Sequence, residues 1–306
     1  MKKISTLSLF CGAIVAAFLS LSVQAQQTGE KATQSSAQGT SGDTPAANFD
    51  TALKDEGKWY FSWGYSRQQY APSDIHVSQP SLGNDFTLHG VNASDYPGSV
   101  SDAVNALFKL DLTSPQENMR IGYFLNPEKT FAIELNYDHS KYNTDAGQSV
   151  LVSGTANNAR AASPLVLGLP AFDYALHNGF NHIMVNAVWL HHLHGPKQEP
   201  GALQLISRLG AGILLPHADN TIFGNHNEVG PKGDRVCCFD SHDWWQVNGW
   251  TAGAELGVRY RIYKSIYLEA TQKFAYGVLR GVPVYQGTAD HSVWMSEQVF
   301  STGFLF

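Results

Sequence analysis

From Lys58 onward the chain alternates between two kinds of residue. Trp59, Phe61, Trp63 and Tyr65 are separated by Tyr60, Ser62, Gly64 and Ser66, and a period of two is that of a β-strand with unlike faces. The pattern recurs along the chain. Met119, Ile121, Tyr123 and Leu125 alternate with Arg120 and Gly122; Phe131, Ile133, Leu135 and Tyr137 alternate with Glu134, Asn136 and Asp138. Ile183, Val185, Ala187 and Trp189 alternate with His182, Met184 and Asn186, and Leu205, Leu209 and Ile213 with Gln204, Arg208 and Gly212. Trp250, Leu256, Val258 and Tyr260 face away from Glu255 and Arg259; Ile266, Leu268 and Phe274 face away from Tyr267, Glu269 and Lys273. The final segment, 292–306, sets Trp294, Phe300, Phe304 and Phe306 against Met295, Glu297 and Val299. In each segment one face suits lipid and the other suits a polar interior.

Eight such segments predict an all-β fold, an eight-stranded antiparallel transmembrane β-barrel over 58–306. The connections between them run alternately long and short, the last long one around 281–291. A barrel of this size is just wide enough inside for its own side chains. The inward charges Arg120, Glu134, Asp138, Arg208, Glu255, Arg259, Glu269, Lys273 and Glu297 carry both signs, and burial forces such groups to pair. The expected interior is a salt-bridged plug and not an open pore.

Two further regions complete the plan. Lys2 and Lys3 precede an apolar stretch over 7–21 and a small-residue site at 23–25, which reads as an export signal over 1–25. Residues 26–57 begin with a stretch rich in Gln, Thr, Ser, Ala and Gly, which predicts a disordered lead-in. After the signal no run approaches the ~20 apolar residues of a spanning helix. With both chain ends in the periplasm, the short turns are expected to be periplasmic and the four long loops extracellular. The bacterial outer membrane is the expected location.

Charge excludes one class of partner. Removing Lys2 and Lys3 takes the formal charge from −6 to −8, which argues against nucleic acid. Once Cys11 leaves with the signal, Cys237 and Cys238 remain and are adjacent. They suit two thiols or one local ring in a loop, with a link to another chain as the other oxidised option.

Candidate chemistry gathers where strands meet the long loops. Asp138-His139-Ser140-Lys141 ends the third strand, and 177–182 opens the fourth with His177 and His182. Near the same rim fall Asp74, His76, His217, Asp219, His242, Asp243, Asp290 and His291. Imidazole and carboxylate together suit a divalent transition metal, and His139, His182 and Asp138 are the expected ligands and catalytic groups. His139 and Lys141 continue the lipid-facing register of Phe131 to Tyr137, which would set Lys141 against anionic outer-leaflet lipid, lipid A in particular. A deacylase is disfavoured because His139 and Ser140 fall on opposite strand faces.

The terminal strand closing on Phe306 resembles the C-terminal signature of bacterial outer-membrane barrels, which implies recognition by the barrel-assembly machinery. The segments FSWGYSRQQYAPSDIH, FAIELNYDHSKYNTDAGQ, HNGFNH and RLGAGILLPHADNTIFG resemble a group of such barrels. Asp138, His139 and Lys141, followed by Asn178, Gly179 and Asn181, are also similar to short motifs of the rhizobial lipid A oxidase. That resemblance implies oxygen-dependent oxidation of lipid A with a divalent metal as helper. The alternative is a non-enzymatic barrel whose loops are structural, adhesive or ligand-binding.

Overall fold

A computed structural model describes residues 58–95, 116–228 and 246–306, with the side chains of residues 177 and 178 left out. The expected signal, the lead-in over 26–57, Cys237, Cys238, His242 and Asp243 lie outside the described residues. Those residues form antiparallel β-structure with one short 3-10 turn, Pro80–Leu82, and no α-helix. In chain order the strands are β1 (Trp59–Tyr70), β2 (Ser73–Gln79), β3 (Asn84–Val91), β4 (Ala93–Ser94), β5 (Glu117–Phe124) and β6 (Phe131–Thr144). Next come β7 (Ser149–Ala156), β8 (Ala159–Arg160), β9 (Leu165–Val166), β10 (Phe172–His194), β11 (Leu203–Pro216), β12 (Asp219–Ile222) and β13 (Asn225–Glu228). The last three are β14 (Gly249–Arg261), β15 (Ile266–Val284) and β16 (Gly287–Leu305).

The ladder order β1-β5-β6-β10-β11-β14-β15-β16 returns to β1, because β1 and β16 pair from Tyr60↔Leu305 to Tyr70↔Met295. The wall is therefore a closed ring without a free edge. Its outer side carries Ile121, Leu135, Val185, Leu209 and Phe300, the last 67% exposed. Aromatic rings lie side by side at each end of this apolar wall. Trp59 meets Tyr123 at 4.9 Å and Phe131 meets Trp189 at 5.5 Å at the lower end, where the ring's first and last strands terminate. Trp250, Tyr276 and Trp294 form the upper row, at 6.1 and 4.8 Å. Such rows mark the two interfaces of a bilayer.

The interior is filled in three layers. Tyr60, Phe124, Val188, Ile206 and Tyr267 pack at the bottom. Charged groups occupy the middle. Above them Tyr142, Tyr174, Phe180, Leu214, Leu279 and Met295 pack with Ile75, Val77, Phe86 and Leu88 from outside the ring.

That upper layer corrects the expected long loops. They carry β2–β4, β7–β9, β12 and β13, and β2 pairs with β16 while β3 pairs with both β2 and β7. The reason lies in a short alternation: Ile75, Val77, Phe86 and Leu88 turn inward, while Asp74, His76, Asp85 and His89 turn out. Pro80 and Gly83 only make the reversal between them, Gly83 in the left-handed conformation that glycine tolerates. The expected loop around 281–291 is likewise absent. β15 and β16 continue upward to a turn at 285–286, with a register shift between Leu279 and Val282.

Candidate functional site

The lumen is built around Arg208. Its Nε donates to both oxygens of Glu134 at 3.0 and 3.2 Å, Nη1 to Glu255 at 2.8 Å and Nη2 to Glu269 at 2.9 Å. Three strands thus place carboxylates around one planar guanidinium fork, a geometry that lysine could not match. Arg120 donates to Glu255 at 3.1 Å, and Arg259 to Glu269 at 2.6 Å. The Arg259 guanidinium also lies 4.0 Å from the centroid of the Tyr267 ring. The Tyr60 hydroxyl donates to Glu134 at 2.8 Å.

A second cluster sits higher in the lumen. Lys273 pairs with Asp138 and lies 3.6 Å from Glu297. Asn118 donates to both carboxylates, reaching Glu297 at 3.2 Å, and Gln68 donates to Glu297 at 2.8 Å. His182 is buried beside this cluster. Its Nδ1 meets Thr251 Oγ1 at 3.1 Å, and its Nε2 has no hydrogen-bond partner among the described residues.

His139 and Asp138 do not meet at one site. Asp138 and His182 are opposed across β6 and β10 and belong to the lumen, whereas His139 opposes Asn181 on the other face. The expected metal triad of His139, His182 and Asp138 therefore does not form. Consecutive residues of a strand point to opposite sides of the sheet. Among the described residues no three His, Cys, Asp or Glu side chains converge as metal ligands.

The outer face at His139 is also not open to lipid, as parity had implied. His139 is fully buried, and its Nδ1 lies 2.7 Å from Asn181 Oδ1, which also accepts from the Tyr137 hydroxyl at 2.9 Å. Because that amide oxygen only accepts, Nδ1 is the protonated nitrogen of the His139 ring. Asn181 Nδ2 in turn donates to the Leu215 carbonyl at 3.0 Å. Next to this pair the β6–β10 ladder shifts register between Leu176 and Phe180. There Gly179 lies so near Asn181 that an added Cβ would fall 2.0 Å from its amide nitrogen. The sequence motifs around Asp138 and Asn181 are thus joined, but as two networks on two faces. Lys141 is partly buried, and its carbonyl accepts from the Tyr70 hydroxyl at 2.7 Å.

The upper sheet gives Asp74, His76 and Asp219, which the residue patterns singled out, partners that they did not: His89, Ser153, Asp85 and His226. On its solvent face His89 Nδ1 meets Asp74 Oδ2 at 3.0 Å and Nε2 meets Ser153 Oγ at 2.8 Å. The Gly90 amide donates to the other Asp74 oxygen at 2.8 Å. His89 and the Gly90 amide together hold the Asp74 carboxyl below the usual carboxylate range. A separate pair, His76 and Asp85, meets at 2.8 Å, and His226 meets Asp219 at the same distance. The sequence signal for the first group was the outward register of β2, β3 and β7, hidden inside segments read as loops.

No family model matches the chain, and no curated protein matches it in sequence. Among solved structures it is similar to Neisserial surface protein A, at 12% identity over 83% of this chain and 100% of that one, with a TM-score of 0.33. OprG from Pseudomonas aeruginosa gives 12% identity over 82% of this chain and 97% of that one, with a TM-score of 0.34. The outer-membrane protease OmpT from Escherichia coli gives 8% identity over 83% and 98%, with a TM-score of 0.36. The chain's own geometry decides where it resides. A closed antiparallel ring pairs the backbone of every wall strand with two neighbours, as a bilayer demands, and carries an ionic interior, an apolar outer wall and aromatic rows at both ends. This is an outer-membrane β-barrel protein, and the bacterial outer membrane is its location.

Proposed function

We propose that this chain is a sealed eight-stranded transmembrane barrel that conducts nothing and acts at the cell surface through its upper sheet. The observation that carries this reading is Arg208 bound to Glu134, Glu255 and Glu269 across the middle of the lumen. Packed layers containing aromatic residues lie above and below it, which supports a closed lumen. The upper end faces outward, because the lower end carries the short turns at 125–130, 195–202 and 262–265 together with both ends of the ring. Outer-membrane lipid surrounds the wall.

Two measurements test it. The full chain refolded into a planar bilayer is expected to give no single-channel steps; porin-sized steps would overturn the sealed lumen. An epitope placed in the turn at 285–286 is expected to bind antibody on intact cells, and binding only after permeabilisation would reverse the orientation.

Modification of outer-leaflet lipid A is a second reading, supported by the hydrogen-bonded His139 and Asn181 on the lipid side of the wall. It runs without the metal triad, which is not assembled. Mass spectrometry of lipid A from cells with the chain, without it, and with His139→Ala decides it. A mass shift lost in the variant supports this reading; identical spectra remove it.

A further inference from the structure

Asp74, His89 and Ser153 come from three adjacent strands and meet on the open face of the upper sheet. His89 opposes Leu151 in the β3–β7 ladder, and Ser153 stands two residues along β7, on the same face and diagonal to His89. Asp74 is brought to the other side of His89 by the register shift between Ser73 and Ile75. Gly90, at φ 68, allows the chain opposite that bulge to turn its amide onto Asp74.

The order of contacts matters more than the composition. Asp74 accepts from Nδ1, so the His89 proton sits there and Nε2 is free to accept the Ser153 hydroxyl proton. A carboxylate that orients an imidazole, which in turn holds a serine Oγ at 2.8 Å, is the arrangement of an activated nucleophile. Ser153 is exposed, so an acyl carbon can reach it.

The surroundings differ on the two sides of this relay. On the same face Leu151, 65% exposed, stands directly opposite His89 and next along β7 from Ser153, and Val166, 58% exposed, follows through the Ser149↔Val166 pairing. Thr87, directly opposite Ser153, lines an open cleft of about 330 Å³ together with Asp74, His76, Arg280 and Asp290. An ester laid across the relay would set its acyl chain on the leucine and valine. Its alcohol would fall toward Thr87 and the polar cleft.

We propose that Ser153, His89 and Asp74 hydrolyse carboxylic esters of aliphatic acids on the outer face of the upper sheet. Ser153 Oγ adds to the ester carbonyl carbon as its proton passes to His89 Nε2. The bond to the alcohol oxygen breaks, the electron pair leaves with that oxygen, and His89 returns the proton to it. Water then adds to the acyl-serine, giving a proton to Nε2. The bond to Ser153 Oγ breaks, Oγ recovers the proton, and the carboxylic acid departs. One ester and one water give one acid and one alcohol, with no redox change. The site lies outside the barrel, so this inference stands whether or not the lumen conducts.

The test uses the full chain refolded in detergent, with folding checked by heat-dependent gel migration. Turnover of p-nitrophenyl butyrate is expected, with a loss of at least about 100-fold in both Ser153→Ala and His89→Gln. A fluorophosphonate probe is expected to label Ser153, located by mass spectrometry, and to leave Ser153→Ala unlabelled. Phosphatidylcholine vesicles form a second arm. Fatty acid released in a Ser153-dependent manner identifies a bilayer ester as the source, and activity on the soluble ester alone identifies a soluble one. Folded protein that turns over neither substrate, or Ser153→Ala that retains the full rate, overturns the proposal.

Discussion

Asp138 and His139 are consecutive in β6, yet Asp138 pairs with Lys273 inside the barrel while His139 meets Asn181 on the outside at 2.7 Å. The wall of the barrel runs between them. Each belongs to a network closed by residues far away in sequence, so neither can be understood from the tetrapeptide that contains them.

The inner network has one cation for two carboxylates. Lys273 serves both Asp138 and Glu297. Removing one carboxyl charge therefore leaves a balanced pair, and Glu297→Gln keeps a group that can still bond Gln68 and Asn118. We expect Glu297→Gln to change stability by less than about 1 kcal/mol. Lys273→Met, which strands two buried carboxylates, is expected to cost about 3–5 kcal/mol. Urea unfolding in lipid vesicles, followed by tryptophan fluorescence, measures both. Equal losses in the two variants would show that Lys273 is not shared.

Arg208 makes a sharper case. It holds Glu134, Glu255 and Glu269, and among the described residues the cations left to these three carboxylates when it is removed are Arg120 and Arg259. Arg208→Ala is expected to lose about 3–5 kcal/mol or to fail to refold. Arg208→Lys keeps the charge but loses the planar fork and should recover only part of that loss. Full recovery with lysine would mean that charge alone, and not bidentate geometry, holds the plug.

On the outside, the bulge at Gly179 controls His139. A Cβ there would fall 2.0 Å from the Asn181 amide nitrogen. Gly179→Ala must therefore move the amide that holds both Tyr137 and His139. We expect a loss of about 1–3 kcal/mol, as for buried polar groups left unpaired. The His139 ring protons should shift in the NMR spectrum of the variant. An unchanged His139 signal would separate the bulge from the histidine.

How much of this was legible follows from what lipid demands. Trp59, Leu135, Val185, Leu209 and Phe300 sit on the side that their alternation implies, because every second residue of a spanning strand must face hydrocarbon. The charged residues read as inward sit in the lumen for the same reason. Parity failed at His139 because it assumes an unbroken ladder, and the β6–β10 ladder shifts register between Leu176 and Phe180 beside it. The upper sheet was missed because β2 and β3 are short and flanked by Pro72, Pro80 and Gly83. Asp74 and His89 share a short hairpin, but Ser153 joins them through the long-range β3–β7 pairing, which no spacing within the sequence announces.

His291 gives the upper layer a pH limit. It lies in β16 above Trp294 and therefore above the bilayer, buried against Tyr142 at 5.0 Å and Tyr174 at 5.6 Å. Neither ring nitrogen has a hydrogen-bond partner among the described residues. Burial, with the nearby Arg280 charge added, pushes its pKa from 6.5 down to about 3. The unfolded segment binds a proton below pH 6.5 while the folded one does not until about pH 3, so stability contributed by the neutral ring is fully present above pH 6.5. It falls as pH drops through that window, by about 1.4 kcal/mol per unit at the steepest. Amide hydrogen exchange across β2, β3 and the top of β16 should accelerate from pH 6 to pH 4 after correction for intrinsic rates. In His291→Phe, which keeps the ring and removes the titration, that acceleration should largely disappear. Equal acceleration in both proteins would remove His291 as the source of the acid sensitivity.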